Sequence, residues 1–211
     1  MSEDRPLVYV IDDEASIREA LDSLIRSIRL DVRTFGTTEE FLNFTRPDTP
    51  ACIILDVRLP GLNGLDFHRE LMKRNIELPV IFITGHGDVP MSVRAIKAGA
   101  IEFLTKPFRN QDLIDAIYVG IEQDRSRRRM VVISSELQAR FALLTTRERQ
   151  IMLEVVTGRP NKQIAAKLKL SEFTVKIHRG NVMQKMRAKS LIELVRMADT
   201  LQDGRQPLSI I

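Results

Sequence analysis

The 211-residue chain predicts an α/β fold followed by an all-α fold. The first is a doubly wound, five-stranded parallel sheet over residues 1–124. The second is a separate four-helix domain over 144–201. Between them, 125–143 reads as a linker that can extend the last helix of the first domain, and 202–211 reads as a tail. Three observations carry this. Up to residue 123, short apolar runs alternate with helical patterns, the rhythm of a parallel sheet covered on both faces. From Thr145 onward only helical patterns remain. The charge also changes sign: residues 1–124 hold 14 Lys/Arg and 21 Asp/Glu, a net of −7, whereas 125–211 hold 18 and 7, a net of +11. An acidic half joined to a basic half implies two partners, the basic half suiting a polyanion.

The elements follow in order. Leu7–Ile11 is a run of strand length ending at Asp12-Asp13. Ala15–Ile28 places Ile17, Leu21, Leu24, Ile25 and Ile28 at helical spacing. Asp31–Phe35 reads as a strand, and Thr37 or Thr38 can cap a helix containing Phe41, Leu42 and Phe44. Ala51–Leu55 is the third strand, ending at Asp56. Gly64–Arg74 is helical after Pro60-Gly61. Pro79–Thr84 is the fourth strand, Gly85–Asp88 a break and Asp88–Ala98 a helix. Ala100–Leu104 is the fifth strand, followed by Lys106-Pro107 and a helix from Asn110 to Gln123. The strands are almost continuously apolar, as burial on both faces requires.

In the second half, Arg125–Arg129 is basic. Helical pieces cover Thr146–Thr157, Asn161–Leu168, Glu172–Met186 and Ser190–Thr200. Gly158-Arg159-Pro160 and Lys169–Ser171 separate the first three.

The bulk properties exclude several classes. No apolar run approaches the roughly 18 residues of a membrane helix, and residues 1–12 lack the pattern of a signal peptide. The expectation is a cytoplasmic protein without membrane association. The single cysteine, Cys52, sits in an apolar run and reads as a buried, inert thiol.

In a parallel α/β sheet, chemistry gathers at the carboxyl ends of the strands. Three strands end in notable residues: Asp12-Asp13, Asp56 and Thr84, with Lys106 just beyond the fifth. Three carboxylates together repel and need a cation, and oxygen-only ligands favour Mg²⁺. Asp56 can then act as a nucleophile toward a phosphoryl donor. Lys106 and Thr84 can meet the phosphate oxygens. Glu14 is placed to favour the start of the next helix rather than to bind metal. A phosphatase-type enzyme also uses such residues, but no insertion here supplies a substrate cap.

The segments VYVIDDE (Val8–Glu14), ILDVRLPGLNG (Ile54–Gly64), FITGHGD (Phe82–Asp88) and EFLTKPF (Glu102–Phe108) resemble the receiver domain of bacterial two-component response regulators. The resemblance implies that Asp56 is the phosphoacceptor for a sensor histidine kinase. It implies Mg²⁺ held by Asp12, Asp13, Asp56 and the backbone carbonyl of Arg58. It also implies a switch pair, Thr84 and Phe103, and a cis Lys106-Pro107 bond.

In the basic half, Lys169-Leu170 joins two short helices, and Ser171 suits the N-cap of the second. Asn161 can cap the first. The second helix buries Val175, Val182 and Met186 and leaves a polar N-terminal half, as entry into a DNA major groove requires. Lys176 and Arg179 can reach guanine edges or phosphates, Ile177 a thymine methyl, and Glu172 a cytosine. Thr174, Lys162 and Asn161 are candidates for phosphate contacts. His178 reads as a packing residue. LTTRERQIM (Leu144–Met152), NKQIAAKLKLSEFTVKIHRGNVMQKM (Asn161–Met186) and SLIELVRMA (Ser190–Ala198) resemble the LuxR-type helix-turn-helix. The whole chain is thus similar to response regulators of the FixJ/NarL type and leans toward the FixJ branch. That implies homodimerisation on phosphorylation, binding to double-stranded DNA, and RNA polymerase as a further partner.

Overall fold

The computed structural model describes residues 5–85 and 89–203. Its elements are β1 (Leu7–Ile11), α1 (Ala15–Ser27), β2 (Asp31–Phe35), α2 (Thr38–Asn43), β3 (Ala51–Asp56), α3 (Gly64–Lys73), β4 (Val80–Thr84), α4 (Val89–Lys97), β5 (Glu102–Thr105) and α5 (Asn110–Ala142). Then come α6 (Thr146–Val156), α7 (Asn161–Leu168), α8 (Glu172–Met186) and α9 (Leu191–Asp203). Residues 86–88 of the expected break Gly85–Asp88, and the expected tail from 204 onward, lie outside the described residues. Gln202 and Asp203, expected in the tail, belong to α9. The chain divides into two compact units, Met1–Arg128 and Arg129–Ile211.

In the first unit the strands pair in parallel in the order β2-β1-β3-β4-β5. Alternation along each strand sends residues to opposite faces. Tyr9, Ile11, Ile53, Leu55 and Phe82 pack with Phe41 of α2, Phe67 and Leu71 of α3, and Ala95 of α4. Val8, Val10, Cys52, Ile54, Ile81 and Ile83 pack with Leu21 and Ile25 of α1 and with Leu113, Ile117 and Ile121 of α5. Each fully buried Val, Leu, Ile or Phe among them contributes roughly 1.5–3 kcal/mol. Cys52 is buried, and burial pushes its thiol up to about 12, so it is inert.

Several boundaries shift for local reasons. The strand expected from Ala100 starts at Glu102, because Gly99 adopts a φ of 93° and Ala100 N–H is tied back to Ala95 of α4. Thr37, not Thr38, caps α2, accepting from Glu40 N–H at 3.2 Å. The residues read as a linker are helical as far as Ala142. At the base of the sheet, the buried Asp124 carboxylate accepts from Ala51 N–H at 3.0 Å and from Arg127 and Arg128.

The second unit is a helical core. Leu137 and Leu144 pack there with Ile151, Met152 and Val155 of α6, Ile164 of α7, Val175, Val182 and Met186 of α8, and Leu194 and Ala198 of α9. α7 ends at Lys169 in a left-handed conformation, and Leu170 N–H returns to Ala165. That closes the helix and turns the chain into Ser171, which caps α8 by accepting from Thr174 N–H at 3.0 Å.

Candidate functional site

Strand register brings the acidic residues to one level. Ile11 lies beside Leu55, and Asp56 beside Ile83. Asp12, one residue beyond β1, and Asp56, the last residue of β3, therefore meet where the strand order reverses between β1 and β3. One carboxylate oxygen from each of Asp12, Asp13 and Asp56 lies within 4.8 Å of the others. Asp12 and Asp56 are buried, whereas Asp13 is exposed at the mouth.

Lys106 crosses from the far end of β5. Its Nζ donates to Asp12 Oδ2 and to Asp56 Oδ2, both at 2.7 Å. Asp56 Oδ1 accepts from Arg58 N–H at 2.8 Å, and Asp12 Oδ1 accepts from Glu14 N–H at 2.9 Å. Burial raises the Asp12 carboxyl above its ordinary value in spite of Lys106. Burial alone would lower the Lys106 ammonium, but its hydrogen bonds to Asp12 and Asp56 outweigh it and raise the group. The pocket thus holds its lysine charged. Lys106-Pro107 is cis.

Thr84 ends β4 and is buried, and its carbonyl accepts from Lys106 N–H at 2.7 Å. Phe103 sits half-buried in β5 opposite Phe82, with ring centroids 6.4 Å apart. Glu14 takes the N-cap position of α1 without a side-chain bond to the helix backbone, and its Oε1 accepts from Ser16. Gly64 was not singled out from the sequence, yet a Cβ there would lie 2.3 Å from the Asp56 carbonyl oxygen. Its N–H donates to the Val57 carbonyl and closes the loop that follows Asp56 and carries Arg58.

In the second unit, Lys162, Glu172, Lys176 and Ile177 are exposed, while Asn161, Thr174 and Arg179 are half-buried. Pro160 takes the N-cap position of α7, displacing the cap expected of Asn161. Asn161 Oδ1 instead accepts from Arg179 Nη1 at 3.1 Å, tying α7 to α8. Thr174 shares the cap of α8, its Oγ1 lying 2.8 Å from Ser171 Oγ. His178 is half-buried.

Sequence reasoning missed a buried ion pair that holds α8. Glu148, 3% exposed, accepts from Thr145 N–H at 2.8 Å and from Lys185 Nζ at 2.6 Å. The signal was present, since Thr145-x-x-Glu148 is a capping-box pattern, and the box forms. Its bond to Lys185 joins positions 37 apart, which no local pattern reveals.

Residues 8–118 match the response regulator receiver domain, and residues 142–198 match the bacterial regulatory proteins of the luxR family. Nodulation protein W of Bradyrhizobium diazoefficiens is 52% identical, covering 93% of this chain and 87% of its own. Transcriptional regulatory protein FixJ of the same organism is 39% identical, covering 90% and 93%. The solved structure of response regulator StyR is 44% identical, with a TM-score of 0.80, and covers 92% of this chain and 98% of its own. Among the described residues no helix is long and apolar enough to cross a membrane. With both family matches falling on the two units just described, the chain belongs to the bacterial two-component response regulators that carry a LuxR-type DNA-binding domain, and it is a transcription regulator rather than an enzyme.

Proposed function

We propose that Asp56 is the residue phosphorylated by a partner histidine kinase, and that this controls dimerisation and sequence-specific binding to double-stranded DNA. One observation carries the reading: a single lysine bridges Asp12 and Asp56 at 2.7 Å each, beside a third carboxylate. Such a cluster of hard oxygen donors suits Mg²⁺, which would be held by Asp12, Asp13, Asp56 and the Arg58 backbone carbonyl. When bound, Mg²⁺ neutralises charge on the carboxylates and on a phosphoryl group. A carboxylate oxygen of Asp56 attacks phosphorus, the P–N bond of the phosphohistidine breaks, and an acyl phosphate forms on Asp56. Lys106 then follows the new charge onto a phosphate oxygen, and the Thr84 hydroxyl donates to another. Phe103 responds to the movement of Thr84.

The domain boundaries proposed are 1–124 for the receiver and 144–201 for the DNA-binding domain, joined by 125–143. The DNA-facing residues are Glu172, Thr174, Lys176, Ile177, Arg179, Asn161 and Lys162. Support for base contact is strongest for Lys176 and Ile177, which are exposed. Arg179 must leave Asn161 to reach a base, so a positioning role on the DNA backbone suits this pair better. A cytoplasmic location and contact with RNA polymerase complete the reading.

Incubation with acetyl phosphate and Mg²⁺ should give the wild type one acid-labile phosphate and Asp56→Asn none. Phosphorylated wild type should sediment as a dimer and bind its operator more tightly. Equal labelling of Asp56→Asn would remove the assignment.

A further inference from the structure

Helix α8 carries apolar side chains on two opposite sides. Val175, Val182 and Met186 are buried in the helical core. Phe173 and Ile177, one turn apart, are 72% and 49% exposed. At about 100° per residue, positions 173, 177, 180 and 184 form one stripe, opposite that of 175, 182 and 186. The stripe is open along its length: Gly180 and Gln184 are exposed, and a Cβ at Gly180 would meet nothing within 4 Å. Lys176 flanks the stripe and is exposed, whereas Arg179 turns the other way to Asn161. Phe173 belongs to none of the buried clusters among the described residues. An apolar ring in the first turn of a helix thus faces outward, with no partner among the described residues of its unit to bury it.

We infer that Phe173 reads sequence, its ring set against the 5-methyl group of thymine in the major groove, next to the contact proposed for Ile177. This rests on the reading of α8 as the groove-entering helix. The thymine methyl is the apolar feature that bases present in the major groove, and phenyl groups are among its partners. Reading helices contact base edges with their N-terminal residues, and Phe173 is the second residue of α8. The ring is carried on a fixed turn, because Ser171 and Thr174 close the cap immediately around it. The bare position at Gly180 lets the far end of the stripe approach the DNA without a side chain intervening.

The test uses the full chain, phosphorylated with acetyl phosphate and Mg²⁺, to select duplexes from random-sequence DNA. On the selected duplex each thymine is replaced in turn by deoxyuridine, which lacks only the methyl group. Wild type should lose about fourfold in affinity at particular thymines, the size of one buried methyl. Phe173→Ala should melt like the wild type and lose affinity for the thymine duplex. At one of those positions it should no longer distinguish thymine from uracil. Ile177→Ala should become blind at a different thymine. Full thymine preference retained by Phe173→Ala at every position overturns the inference, as does a wild type indifferent to every uracil. Unchanged DNA binding with lost transcription would assign the ring to a protein partner, and also overturns it. A wild type that enriches no sequence would instead remove the groove-reading assignment of α8 on which the inference rests.

Discussion

At the centre of the receiver pocket the side chains are buried, with Asp12 and Thr84 at 0% exposure and Asp56 at 6%. On α8 of the second unit two of the side chains proposed to meet DNA lie outside, with Ile177 at 49% and Phe173 at 72%. The two settings obey different physics. A buried charge must be paired, so Asp12, Asp56 and Lys106 depend on one another. An exposed side chain on α8 is tolerated alone, and its identity is free to follow the DNA it meets. Substitutions in the pocket should therefore be severe and coupled, and those on α8 mild and separable.

The sharpest way to break that contrast is Lys106→Ala. It leaves two carboxylates facing each other in a buried site, and removing one partner of such a pair costs about 3–5 kcal/mol. Mg²⁺ would restore a cation between them, so its addition should raise the Tm of Lys106→Ala by more than that of the wild type. Thermal melts with and without Mg²⁺ decide it, and equal increments would show that metal and lysine do not answer the same charge. Gly64→Ala comes next. Its new Cβ would sit 2.3 Å from the Asp56 carbonyl oxygen, which cannot yield without moving Asp56. Overpacking of this kind costs about 1–3 kcal/mol, and labelling by acetyl phosphate should slow with it. An unchanged melt and labelling rate would show that the loop adjusts freely.

This contrast also explains what the sequence made legible. The strand ends were readable because apolar runs stop at charge: Leu7–Ile11 at Asp12, and Ala51–Leu55 at Asp56. Lys106 and Thr84 were placed by the same reasoning, since parallel strands deliver their ends to one edge. Gly64 was not, because its role depends on how closely a loop folds back on Asp56, and no spacing reports that distance. The cap expected at Asn161 fell one residue late. Pro160 already has the backbone angle for the position, which frees the Asn161 amide to reach Arg179 across two helices. The Glu148–Lys185 pair escaped because half of it is non-local.

That pair gives a smaller effect within the second unit. Burial disfavours the Glu148 charge, but hydrogen bonds from Lys185 and Thr145 outweigh it and hold its carboxyl below the usual range. A carboxylate depressed in the folded state contributes stability that is present above the unfolded value of about 4.3 and is lost as pH falls through the folded value. Glu148→Gln should cost about 1–2 kcal/mol near neutral pH, and the difference from wild type should fade in acid. Hydrogen exchange of the α6 and α8 amides measures it locally. A difference that persists unchanged at pH well below the carboxylate range would show that shape, not charge, holds α8.

The smallest effects separate the two kinds of DNA contact on the exposed surface. Lys162 stands at the start of α7 and Lys176 on the outward half of α8. If Lys162 meets a phosphate, Lys162→Ala weakens binding to every sequence alike and lowers the slope of log K against log salt by about 0.9–1. If Lys176 meets a guanine edge, Lys176→Ala relaxes preference at one base pair, and its cost appears on the selected operator far more than on unrelated DNA. Binding titrations at several salt concentrations, on operator and on random duplex, distinguish these outcomes. A Lys176→Ala variant whose loss is equal on both duplexes would move that lysine from reading to positioning. Sequence preference would then rest on the apolar stripe beside it.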